Sequence, residues 1–82
     1  MSAVTTIRFF AAARAAVGQD ETTTDADTLG TALTAVPAVD AERWAALRER
    51  CSYLVDGVTT RDLDTTLVGV GLVDVMPPFA GG

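Results

Sequence analysis

The chain has 82 residues and a net charge of −5, from eleven acidic residues against six arginines, with no lysine and no histidine. A chain of this length buries about 60% of its unfolded surface, which is enough for one core and too little for two domains. The negative charge has the wrong sign for neutralising phosphates, so we expect no nucleic-acid partner. Cys51 is the single cysteine. The composition therefore excludes an internal disulfide, a catalytic triad and the usual metal-ligand spacings, and we expect no cofactor and no metal.

The amino-terminal residues 1–6 contain no basic stretch followed by a long apolar one. No window of the sequence approaches about 18 continuous apolar residues, the length that a spanning helix requires. We therefore expect neither a signal peptide nor a membrane span, and a cytoplasmic location.

The first quarter of the chain predicts two strands joined by a short helical turn. Over residues 4–11 apolar and polar side chains alternate with a period of two, and β-branched and aromatic types are frequent, as in a strand. Residues 12–17 are rich in alanine and end at Gly18, which is typical of a helical turn with a glycine C-cap. The β-branched run Glu21–Thr24 then predicts a second strand, antiparallel to the first.

Two helices are predicted in the middle of the chain. Thr28 can cap the first, and Pro37 ends it. Its apolar positions follow helical spacing and form one stripe, made of Leu29, Ala32, Leu33 and Val36. The second helix is predicted over residues 40–50. Its stripe consists of Ala41, Trp44, Leu47 and Cys51, with acidic residues at its start and Arg48 and Arg50 at its end.

The last part of the chain predicts three more strands. Residues 53–55 and 58–60 flank Asp56-Gly57, a strong signal for a two-residue hairpin turn. Leu67 is predicted to fill the core, and residues 72–76 form the final strand. The order of elements indicates an α+β fold with helices on one face of a sheet. We assign residues 1–76 to this domain and residues 77–82 to an extended tail.

The tail has features suited to delivering its own carboxyl end to an active site. Pro77 and Pro78 lack amide hydrogens and favour a stiff polyproline II spacer, and six extended residues reach about 20 Å. Gly81 and Gly82 have no Cβ, so they can enter a channel too narrow for side chains. The carboxylate at Gly82 is a poor acyl donor until it is activated, for example as an acyl-adenylate.

Five stretches of the sequence form a set of motifs: residues 7–14 (IRFFAAAR), 28–33 (TLGTAL), 42–44 (ERW), 54–57 (LVDG) and 77–82 (PPFAGG). On these motifs the sequence resembles the small subunit of molybdopterin synthase, a sulfur carrier of the MoaD/ThiS family, over nearly its whole length. The chain departs from the family at Val68–Leu72, where an acidic turn of Asp-Gly-Asp-Glu type is usual.

The resemblance implies a ubiquitin-like β-grasp fold and a subunit that is not catalytic by itself. A ubiquitin-activating-like adenylyltransferase would adenylate Gly82, and a sulfurtransferase would supply the sulfur of a thiocarboxylate. The residues Pro77, Pro78, Phe79, Ala80 and Gly81 would thread into the large catalytic subunit of a heterotetramer. There the sulfur would pass to cyclic pyranopterin monophosphate in molybdenum cofactor biosynthesis. Sulfur carriers for thiazole or cysteine synthesis, and a β-grasp protein-binding module, are the alternatives.

Three residues are expected at a partner interface. Phe10 has the opposite parity to Ile7 and Phe9, so it should face away from the helices, and Met76 should lie beside it. Arg14 could pair with a partner carboxylate, or with Asp20 or Glu21 of its own chain.

Other conspicuous side chains have structural interpretations. Trp44 is expected to anchor the core and Cys51 to be buried and unreactive, since no basic group is placed to lower its pKa. The aspartates 56, 62, 64 and 74 are read as turn acids rather than as a metal cluster.

Overall fold

The computed structural model describes residues 4–78, which form a mixed five-stranded sheet and three helices in a β-grasp-like α+β fold. The elements follow in the order β1 (Thr5–Phe9), α1 (Ala11–Val17), β2 (Glu21–Thr24), α2 (Leu29–Ala35), α3 (Ala41–Arg48), β3 (Ser52–Val55), β4 (Val58–Thr60) and β5 (Leu72–Met76). The strands lie in the order β2-β1-β5-β3-β4. β5 is parallel to β1, and every other neighbouring pair is antiparallel.

The period-two pattern of β1 places Ile7 and Phe9 in the core, as predicted. α1 follows directly and ends at Gly18, whose φ of 86° is the left-handed C-cap that the glycine predicts. The amide of Gly18 donates to the carbonyl of Arg14. β2 then returns antiparallel to β1, with Ile7 opposite Thr22. The two-strand prediction for this part of the chain is confirmed.

α2 begins at the predicted cap, because the Thr28 hydroxyl accepts a hydrogen bond from the amide of Thr31. Its stripe is buried as a unit. Gly30 costs helix propensity, but a Cβ there would stand 3.1 Å from the carbonyl oxygen of Leu63. The same carbonyl accepts the Gly30 amide at 2.9 Å. Glycine at this position therefore allows the 61–66 segment to pack against the helix.

α3 is shorter than predicted: it ends at Arg48, so Arg50 lies beyond it. Asp40 caps it by accepting the amide of Arg43. Of the predicted stripe, Trp44 and Cys51 are buried, Leu47 is half-buried and Ala41 is exposed.

Trp44 anchors the core, as predicted. Its indole N–H donates to the carbonyl of Leu33 at 3.1 Å, and its ring meets that of Phe9 edge to face with centroids 5.7 Å apart. An aromatic pair of this geometry adds about 0.5–1.5 kcal/mol beyond the area that it buries. Trp44 thus ties α3 to both α2 and β1.

The hairpin between β3 and β4 turns at Asp56 and Gly57, both of which have positive φ, as a type I′ turn requires. The segment after β4 returns to the body through Leu67, which is 3% exposed and fills the core as predicted. Buried side chains of the strands and of the three helices form one core on a single side of the sheet. None of the described helices is long and apolar enough to cross a membrane.

Tyr53 provides a test of the core through pH. Burial raises the pKa of its phenol above the ordinary 10.0, and the hydroxyl donates to the carbonyl of Arg48 at 2.7 Å. A group with a raised folded pKa binds more protons in the folded chain, so its stabilisation is present below the unfolded pKa and is lost as pH rises above it. Burial shifts the pKa of Cys51 in the same direction from 9.0.

We therefore expect the free energy of unfolding to fall as pH rises above about 9 to 10. Tyr53→Phe should cost about 1 kcal/mol at neutral pH, because the hydrogen bond to Arg48 is lost. The difference between variant and wild type should shrink in alkaline solution. Urea titrations at several pH values measure both curves, and curves that stay parallel up to high pH would contradict the role given to Tyr53.

Candidate functional site

The carboxyl end of the described chain leaves the sheet from its centre. β5 alternates buried Val73 and Val75 with half-buried side chains, and it hydrogen-bonds to β1 on one side and β3 on the other. Pro77 is still buried and Pro78 is exposed. The part that projects from the body therefore begins no earlier than Pro78. The predicted tail residues Phe79, Ala80, Gly81 and Gly82 lie outside the described residues.

One face of the sheet carries no described helix, and we call it the open face. Residues directly opposite each other on paired strands share a face, so the register defines its members. The open face is formed by Thr6, Arg8, Glu21, Thr23, Ser52, Leu54, Thr59, Leu72, Asp74 and Met76. Leu54, Leu72 and Met76 are half-buried. It is a mixed surface of aliphatic side chains, threonines and a few charges.

An ion pair occupies the centre of the open face. Arg8 and Asp74 are direct neighbours across the parallel pair of β1 and β5, and the guanidinium binds the carboxylate through two contacts, of 2.6 and 3.0 Å. The hydrogen bond to Asp74 raises the pKa of Arg8, and the negative charges of Asp74 and Glu21 act in the same direction. Because the Arg8 side chain is 44% exposed, the pair adds little stability, but it fixes which charges this face presents.

The prediction that Asp74 is a turn acid is wrong, because Asp74 lies within β5. A strand over residues 72–76 already excludes a turn at Asp74. The sequence does not reveal its partner, because the side-chain partner of a strand residue depends on which strand lies next to it. The interval of 66 residues between Arg8 and Asp74 hides the pair from any local pattern. The signal that could have suggested this pair is that two predicted strands carry charges of opposite sign on the same face.

Phe10 lies just beyond the end of β1. It is the N-cap residue of α1, and its backbone is extended. Its side chain is half-buried rather than fully exposed, and its ring centroid is 5.7 Å from the guanidinium carbon of Arg8. The ring therefore lies beside a residue of the open face. Met76 is half-buried on that face. Phe10 and Met76 directly follow the paired residues Phe9 and Val75, so the chain brings both to the same end of the sheet.

Arg14 lies on α1, exposed, with its guanidinium 3.7 Å from the carboxylate of Asp20. This is the pairing within the chain that the sequence analysis left open. Both side chains are more than half exposed, so the pair is weak. A role for Arg14 at a partner surface stays a prediction.

The loop before β5 is held by a carboxylate from another part of the chain. Asp56 accepts hydrogen bonds from the amides of Gly71 and Leu72 at 3.1 and 3.0 Å. Its own amide donates to the carbonyl of Leu72 at 2.8 Å. Asp56 is thus both a turn residue of the β3–β4 hairpin and the residue that fixes the start of β5, through two amides of the Val68–Leu72 segment.

The remaining candidate groups are structural. Cys51 is 2% exposed, and burial raises the pKa of its thiol, so the thiolate is disfavoured at neutral pH. Asp62 accepts the amide of Asp64, as expected of a turn acid. In the described part of the chain, no group of three or more acidic or cysteine side chains is arranged to hold a metal ion.

A hollow of about 320 Å³ lies on the opposite, helical side between α2 and α3. Its lining is mainly apolar and includes Leu33, Ala45 and Leu63, together with the charged residues Arg48 and Glu49. It is remote from the open face, and no residue predicted to act at a partner interface lines it.

Comparison of the sequence with models of protein families and with curated proteins finds no match to either.

The neighbouring phenylalanines 9 and 10 give a test of the open face. Phe9 is 2% exposed and packs against Trp44, so Phe9→Ala should cost about 3–5 kcal/mol of unfolding free energy. Phe10→Ala should cost about 1 kcal/mol or less, because its ring lies outside the core. Urea denaturation of the two variants measures the difference. Equal, large losses would place Phe10 in the core and remove it from the candidate site.

Proposed function

We propose that the chain is a sulfur carrier of the MoaD/ThiS type, the small subunit of a molybdopterin synthase, which acts through a carboxylate at Gly82. The observation that carries the proposal is the position of β5. The strand that precedes the tail is the central one of a β-grasp-like sheet, and it ends at Met76, directly before Pro77 and Pro78. A tail that starts from the centre of a rigid sheet has a fixed origin, and the four residues that follow reach about 14 Å when extended.

The proposed chemistry takes place at the Gly82 carboxylate. One of its oxygens attacks the α-phosphorus of ATP, an acyl-adenylate forms and pyrophosphate leaves. Hydrosulfide then attacks the acyl carbon, and AMP departs with the carboxylate oxygen. The product is a thiocarboxylate, whose sulfur attacks an electrophilic carbon of the acceptor and displaces an oxygen leaving group from that carbon. Water finally cleaves the acyl–sulfur bond, which leaves the sulfur on the acceptor and restores the carboxylate.

The folded body of the chain is suited to a carrier whose side chains take no part in these steps. The Cys51 thiol is buried and its pKa is raised. Asp56 and Asp74 are engaged with backbone amides and with Arg8. The adenylyltransferase, the sulfur donor and the large subunit would supply the catalytic groups, so the chain acts as a non-catalytic donor subunit. Docking would use the open face beside Phe10 and Met76.

Part of the evidence for the carrier proposal also supports two other functions. Carriers for thiazole or cysteine synthesis use the same terminal chemistry, and the acceptor distinguishes them. A protein-binding module would use the open face alone, and its half-buried Leu54, Leu72 and Met76 favour this as the second candidate.

The intact mass of the protein tests the carrier chemistry. After incubation with an activating enzyme, ATP and sulfide, we expect a gain of about 16 Da, the difference between sulfur and oxygen, located on the terminal residue. The mass before incubation establishes whether the chain ends at Gly82. A simple binding module would keep its mass unchanged, and this outcome would reject the carrier function.

Deletion of Gly82 tests the geometry of the tail. The new carboxylate on Gly81 would stand about 3.5 Å short of the activating phosphate, and transfer should be nearly abolished. Gly81→Val should also be severe, because a branched side chain restricts the dihedrals and collides with a narrow channel.

The assay is sulfur transfer to cyclic pyranopterin monophosphate with the large subunit, and the matched control is Val58→Ala, an exposed residue of β4. Thermal stability should be unchanged in both tail variants. Wild-type transfer by the shortened chain would reject the proposed role of Gly82, and thiocarboxylate formation without transfer to this acceptor would favour the other carriers.

A further inference from the structure

β2 forms one edge of the sheet, and within residues 4–78 no strand pairs with its outer side. The Phe9 amide donates to the carbonyl of Asp20 at 2.8 Å. Antiparallel strands alternate between pairs that exchange hydrogen bonds and pairs that do not, so Thr22 and Thr24 direct their backbone groups towards β1. The N–H and C=O groups of Glu21 and Thr23 therefore point away from the sheet, ready to pair with another strand.

A small notch adjoins this edge on the helical side. It has a volume of about 50 Å³, and its walls come from Thr22 and Thr24 of β2 and from Ala32, Ala35 and Val36 around the end of α2. Polar and apolar atoms contribute about equally to its exposed lining. A strand added to β2 would direct every second side chain to this side of the sheet, and the notch has room for one small side chain.

The charges beside the edge are negative. Asp20, Glu21, Asp25 and Asp27 are all exposed and fall within or beside β2. Arg14 is near Asp20, and the charge of Arg8 is already matched by Asp74. This excess of negative charge decides which of two binding partners suits the edge, a second copy of the chain or a basic segment of another protein. A second copy of the chain would bring two such clusters together, which like charges disfavour, whereas a basic segment would be attracted.

We propose that the free edge of β2 binds an extended, positively charged peptide segment of a partner protein by strand addition, with one small side chain of that segment in the notch. The segment forms backbone hydrogen bonds with Glu21 and Thr23, and its lysines or arginines approach Asp25 and Asp27. This interaction does not involve the tail, so its test is independent of the test of the carrier chemistry.

The full chain can be tested by NMR titration with a capped heptapeptide of alternating lysine and valine, with a glutamate-for-lysine version as the control peptide. The largest amide shifts are expected at Glu21 and Thr23, with saturation, and their amide protons should become protected from exchange. The glutamate peptide should give no saturable shifts, because its charge has the same sign as that of the edge.

Two matched proline variants separate strand addition from general attraction. Thr23→Pro removes an outward amide that β1 does not use, which an edge strand tolerates. Thr59→Pro does the same on the opposite edge: Val55 and Val58 flank the two-residue turn as a bonded pair, so the Thr59 amide points outward. We expect Thr23→Pro to weaken binding by about tenfold or more and Thr59→Pro by less than about twofold. Circular dichroism checks that both variants fold.

Two further variants test the notch and the charges. Ala35→Leu places a larger side chain at the wall of the notch on a helical, exposed position, and it should weaken binding to a similar extent. Replacing Asp25 and Asp27 together by asparagine should weaken binding and reduce its dependence on salt.

Three outcomes would overturn the proposal. These are the absence of saturable shifts at millimolar peptide, equal binding by Thr23→Pro and wild type, and concentration-dependent changes at Glu21 and Thr23 without peptide. The second would indicate diffuse attraction, and the third would indicate that the edge pairs with a second copy.

Discussion

The rest of the structure depends on the hydrogen bonding of β5 between β1 and β3. The strand that comes last in the described chain is the central one of the sheet, so β1 and β3 are joined through it alone. Its alternating valines complete the core against which the helices pack. Pairing β1 with β5 joins segments at opposite ends of the chain, such as Thr6 with Leu72, and such contacts require a large loop to close before they contribute. Within the sheet, the local units, β1–α1–β2 and the β3–β4 hairpin, are therefore connected only when β5 is in place.

This dependence explains the arrangement of polar groups around β5. Asp56 fixes the start of the strand through the amides of Gly71 and Leu72, and Asp74 binds Arg8 at its middle. Neither contact needs to contribute much free energy, because the Arg8 pair is exposed to solvent. Their effect is on register. A shift of β5 by one residue would break both contacts and move Val73 and Val75 out of the core.

The local elements were predictable because their signals are local. The alternation in β1, the Thr28 cap, the Gly18 C-cap and the Asp56-Gly57 turn each act within a few residues, and each appears where the sequence indicates. The open face was predictable only in part. Opposite parity separates Phe10 from Phe9, but the partners of Asp74 and Asp56 depend on strand order and loop path, which no local pattern encodes. The free edge of β2 follows from strand order in the same way.

The proposed functions use different parts of one rigid body. Backbone groups at the β2 edge point within the plane of the sheet, the open face points perpendicular to it, and the tail leaves from the end of β5. A strand added to β2 would extend the sheet beside Glu21 and Thr23, two strands away from β5. The end of β5 that leads to Pro78 would remain uncovered. A carrier must present its carboxyl end to several enzymes in turn. A partner that is bound only at the β2 edge can stay bound while successive enzymes contact the open face and the tail.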